Sequence, residues 1–161
     1  MRSFGLFVVA VLTAVLFAYP ATANGASVEA TINGGGTAIM DPSKSDFGLA
    51  GTTSFGIHAT LYEGGTAKGH INCVDQAGST FPGNIFGEVT GWEGSLDGGP
   101  ITLNVVGKLV NFPGGHPQDV EFTVTILHFG GAGVGQWTLS VFGFTACFET
   151  LLSGQIVMRR S

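Results

Sequence analysis

The sequence predicts an all-β fold: a single antiparallel β-barrel or β-sandwich of roughly eight to ten short strands. Three observations predict it. Apolar and polar residues alternate along stretch after stretch, most cleanly at Val120, Phe122, Val124 and Ile126 against Glu121, Thr123 and Thr125. Turn-forming residues recur between these stretches, with 27 glycines that follow no collagen-like period. No apolar stripe of helical period occurs after residue 23. With 161 residues the chain can bury one sizeable core. The expected organisation is a signal peptide at 1–23 and a single β-rich domain at 24–161.

The leader reading rests on three parts in order. Arg2 supplies the positive charge, residues 4–17 form an apolar run, and Ala21-Thr22-Ala23 follows Tyr19-Pro20 as a small-residue cleavage site. The run is short for a membrane helix. A secreted, periplasmic or cell-envelope protein is therefore expected, with no transmembrane span after cleavage. In such a compartment Cys73 and Cys147 are expected to form a disulfide, closing a loop of about 75 residues and contributing roughly 4 kcal/mol.

The elements follow in order. Residues 28–32 alternate as a strand, Asn33-Gly34 signals a tight hairpin, and 37–40 begin the return. DPSKSD at 41–46 places oxygens as a calcium loop begins. It lacks the glycine at the sixth position and the glutamate at the twelfth, so a solvated turn is expected. Residues 53–62 and 69–75 form a hairpin. Setting Leu61 opposite Ile71 puts Ala59 opposite Cys73 and Tyr62 opposite His70. Residues 84–92 are a strand, Asp97-Gly98 centres a turn, and 101–112 form a long strand. Strands at 120–129, 136–142, 144–148 and 151–158 complete the set.

Composition excludes some functions. Six Lys and Arg against eleven Asp and Glu give a net charge of −5, with no basic run beyond Arg159-Arg160. A nucleic-acid partner, which needs a cationic surface, is not expected. No G-x-S-x-G elbow is present, and GGAGVG at 130–135 lacks the lysine of a phosphate loop. No catalytic residue is assigned and no cofactor is expected.

His58 and His70 are candidate metal ligands, because they could share one face of neighbouring strands. A metal site needs a third converging ligand, so ordinary strand-face histidines are the favoured reading. His116, between Gly115 and Pro117, reads as an exposed loop residue. His128 continues the apolar phase of Val120 to Ile126 and is expected in the core. If the fold is a barrel with room inside, Trp92, Phe122 and Trp137 are candidates to line a ligand cavity.

Four segments in order carry a family likeness: NGGGT from Asn33, FGIHATLYEGG from Phe55, GHINCVDQ from Gly69 and FTVTILHFG from Phe122. Together they resemble the secreted bacterial β-rich domains called post-choice-of-anchor (post-COAP) domains, over about residues 30–157. The resemblance implies an exported all-β protein and brings no catalytic residues. The chain differs from that pattern in having Cys73 within its Gly-His strand, and GGAGVG where an acidic turn is expected. The function expected from the sequence is an exported, non-catalytic structural or interaction module with an unknown protein partner. The alternative is a β-barrel carrier of a small apolar ligand.

Overall fold

A computed structural model describes residues 25–161 except 77, 81, 112 and 113. The expected signal peptide at 1–23 lies outside the described residues. The fold is all-β: eight antiparallel strands in sequential order close into a barrel, with the last strand paired to the first. The strands are β1 (Val28–Met40), β2 (Thr52–Tyr62), β3 (Thr66–Asp75), β4 (Gly83–Gly94), β5 (Ile101–Asn111), β6 (Gln118–His128), β7 (Gln136–Val141) and β8 (Phe144–Arg160). Of the two architectures the alternation allows, the chain adopts the barrel.

Closure removes both sheet edges and turns one face of every strand inward. Ile32, Leu61, Ile71, Ile101, Leu103, Ile126, Trp137 and Ile156 fill the interior and are fully buried. The outward positions are mostly polar, among them His58, Lys68, Asn72, Glu88, Asn104 and Glu121. Among the described residues no helix is long and apolar enough to cross a membrane.

Two expected turns are not formed. The chain runs straight through Asn33-Gly34-Gly35-Gly36 as part of β1. There the glycines serve close approach between strands rather than a reversal. Gly154 on β8 lies opposite Gly36 with a φ of 81°, and a Cβ on it would collide with the Gly35 carbonyl oxygen. The segments 144–148 and 151–158 are likewise one strand, β8, whose pairing shifts register near Ala146 and near Leu152. Ten expected strands thus become eight.

The β2–β3 hairpin keeps its expected faces but not its register. Ile57 pairs with Ile71, His58 with His70 and Leu61 with Ala67, four residues from the expected alignment. The tight Glu63–Gly65 turn sets this register, with both Gly64 and Gly65 at a φ of 81°. In β6, a register shift between Ile126 and His128 turns His128 outward. Its Nδ1 lies 3.0 Å from Gln136 Oε1 on β7, so it is an exposed strand-end residue rather than a core histidine.

Candidate functional site

The barrel has two unlike ends. At one end lie the β2–β3, β4–β5 and β6–β7 connections. Here the interior is packed, and Trp92 closes it by donating its indole Nε1–H to the Tyr62 carbonyl at 2.9 Å. At the other end a cavity of about 460 Å³ opens between the strand ends and the segment linking β1 to β2.

That segment, residues 41–51, is held across the mouth by hydrogen bonds to β8. Asp41 N donates to the Phe148 carbonyl at 2.9 Å, and Asp46 N to the Thr145 carbonyl at 2.9 Å. Thr145 N returns a bond to Asp46 Oδ2 at 2.7 Å, and Ser45 Oγ donates to the Ala146 carbonyl at 2.5 Å. The DPSKSD stretch expected to be a solvated turn is this strap. Its single 3-10 turn, Pro42–Lys44, is capped by Asp41, which accepts from Ser43 N at 3.1 Å. Phe47 and Leu49 hang from the strap into the cavity.

The walls are mainly apolar: Ile85 and Leu109 from β4 and β5, Leu139 and Val141 from β7, and Ala146 from β8. Cys73 and Cys147 also line it, with Asp75 at the end of β3 and Asn84 and Asn111 at the ends of β4 and β5. At the rim stands Phe142, which is 83% exposed and holds a φ of 53°. With Gly143 at 82° it makes a two-residue hairpin turn that Asn-Gly would form without strain. A bulky aromatic there costs backbone energy and is exposed to water, a combination found where a position serves something other than stability.

Below the mouth, Glu149 is fully buried. The Thr53 hydroxyl donates to one carboxyl oxygen, and Cys73 Sγ lies 3.8 Å from the other. Burial pushes the Glu149 carboxyl up to about 7, and Asp75 nearby adds to the rise. Burial pushes Asp75 up to about 6. Trp137 lies opposite Glu149 on the paired strand, and its indole Nε1 has no partner among the described residues.

The cysteines are free thiols, contrary to the disulfide expected from the sequence. They sit on β3 and β8, which are separated by two intervening strands, and both face the buried Glu149 carboxyl. Burial first, and then the Glu149 charge, push both thiols well above the usual range. Thiolate, the nucleophilic form, is thereby disfavoured.

His58 and His70 do share a face, the outer one, with ring centroids 5.8 Å apart. His58 Nδ1 is engaged with Asn33 Oδ1 at 2.7 Å. Among the described residues no group of three or more His, Cys, Asp or Glu could hold a metal ion. Phe122 and Trp137 are buried, Trp137 packing on Phe55 with ring centroids 5.4 Å apart, while Trp92 is partly buried at the packed end. None of the three is among the residues around the mouth cavity. A broader depression of about 740 Å³ lies on the outer wall, formed largely by outward residues such as Asn104, Glu121 and Thr123. It is wide and open, with few buried groups to fix a ligand.

Sequence reasoning missed Glu149. Its signal is the alternation Cys147, Glu149, Leu151, which a strand break expected between 148 and 151 interrupts. Asp75 had a visible signal, since it continues the inward phase of Ile71 and Cys73. Compared with known proteins, the chain matches no protein-family model, no curated protein and no solved structure.

Proposed function

We propose that the protein is an exported, non-catalytic β-barrel that holds one small, mainly apolar molecule in its mouth. The observation that carries this reading is the cavity of about 460 Å³, walled by apolar side chains and strapped by residues 41–51. Its size falls within the range of small-molecule sites, and barrel mouths are common places for them. An eight-stranded barrel either fills its interior or leaves room for one small ligand. Here one end is filled and the other is not. The strained, exposed Phe142 at the rim supports the same reading.

Export is supported by the charged, apolar and small-residue pattern of residues 1–23 and by the likeness to secreted post-COAP domains. Among the described residues the outward strand positions are mostly polar, unlike the continuous apolar belt of a membrane-spanning barrel. Burial of both thiols disfavours the thiolate, the nucleophilic form, which supports a binding role over thiol catalysis.

Binding of a neutral, environment-sensitive apolar fluorophore tests the reading. The natural protein should take up one equivalent with a blue shift in emission. Leu109→Trp should fill the cavity and abolish uptake while keeping a cooperative melt. Absence of uptake by the natural protein, or equal uptake by both, overturns the proposal.

A further inference from the structure

Resting on that reading of the mouth, we infer that its occupant is a small organic cation, an amine with an apolar body, whose ammonium is held between Asp75 and Asn111.

The strand register brings the two groups level. Val74 pairs with Asn84, which sets Asp75 beside Gly83, and Gly83 pairs with Asn111. Gly83 has no side chain, so the space between the two acceptors stays open. A Cβ there would stand 3.7 Å from Asn111 Oδ1.

The polar groups at this level lack donors. Asn111 Oδ1, in the inward phase of β5, is buried with no hydrogen-bond partner among the described residues. Asp75 forms no side-chain hydrogen bond or ion pair among them either. Buried acceptors left unpaired cost about 1–3 kcal/mol each. An ammonium brings three donors and a positive charge, and so can satisfy Asp75 and Asn111 at once. A neutral apolar molecule would leave them unpaired.

The electrostatics select the same class. Among the described residues no Lys, Arg or His lines the cavity, and Glu149 lies beneath it. An anion would meet Asp75 with no counter-charge. The apolar body of an amine has Leu109, Ile85, Leu139 and Val141 to pack against. A metal ion does not fit, since among the described residues the acidic groups form no cluster able to ligate one.

The test is calorimetric titration of the full chain near neutral pH with n-octylammonium, 1-octanol and octanoate, on the natural protein and on Asp75→Asn. The natural protein should bind octylammonium about tenfold or more tightly than octanol, as a charge-assisted contact provides, and octanoate least. Asp75→Asn should lose that preference while its octanol affinity holds. Octylammonium affinity should also fall as the pH drops below about 6, where Asp75 takes up its proton. The other titratable groups facing Asp75 are Cys73 on its own strand and Cys147 and Glu149 on β8, all uncharged in that range. Equal binding of the three ligands, or an amine preference that survives Asp75→Asn, overturns the cation assignment while leaving a general apolar site intact. Failure of all three to bind overturns both readings.

Discussion

Glu149 shows how a single side chain can set the pH response of the whole barrel. Its carboxyl titrates at about 7 in the fold against an ordinary value of 4.5. Between those values the folded chain keeps a proton that the unfolded chain has released. Stability should therefore be full below about pH 4.5, decline through the interval, and level off above about pH 7. The total decline is on the order of 3 kcal/mol. Asp75, raised in the same direction, steepens the acidic part of that decline. Glu149→Gln keeps the shape and an acceptor for Thr53 but removes the charge. Its melting temperature should vary less between pH 4 and 8 than that of the natural protein, and should exceed it at pH 8. A natural protein that grows more stable from pH 4.5 to 7 would contradict the account.

At the scale of elements, the barrel depends on places where strands approach too closely for a side chain. Gly154 is the clearest, where β8 passes β1 opposite Gly36. Gly154→Ala would need both a positive φ and a clash with backbone to be relieved. It should cost about 3 kcal/mol or more, seen as a lower midpoint in urea unfolding. A midpoint within error of the natural protein would show that β8 can shift without loss. These crossings also explain what the sequence showed and what it hid. The alternation in β6 was legible because every inward residue there is apolar and in phase. The Asn33-Gly34 signal misled because a local turn preference gave way to two long-range strand pairings. The shift after Ile126 displaced His128 by changing phase, which no periodicity before it announces. The cavity was not legible, because it depends on residues 41–51 folding back over β8, a long-range arrangement with no local pattern.

For the molecule as a whole, covalent cross-linking is not what closes the barrel. With both cysteines free, the melting temperature should be the same with and without reductant. A thiol reagent too bulky to enter the mouth cavity should modify both cysteines after denaturation and neither before it, because both are buried within the barrel. Reaction of fewer than two after unfolding, or a reductant-sensitive melt, would restore the disulfide. Hydrogen bonding does the closing instead, through the ladder that joins β8 to β1 from Arg160 to Glu149.

That seam joins the first strand made to the last. During synthesis β1 emerges early, thirteen residues long, and can pair with β2 on one side only. Its other edge stays open until β8, nearly the whole chain later in sequence, pairs with it. Until that pairing forms, a sheet built from the earlier strands has two unpaired edges, each able to recruit a strand from another chain. The two ends of the finished domain also meet, with Ser161 N donating to the Glu29 carbonyl at 3.1 Å. A short linker could therefore join them and the chain be opened at another turn, giving a rearranged order of synthesis with the same barrel at its end.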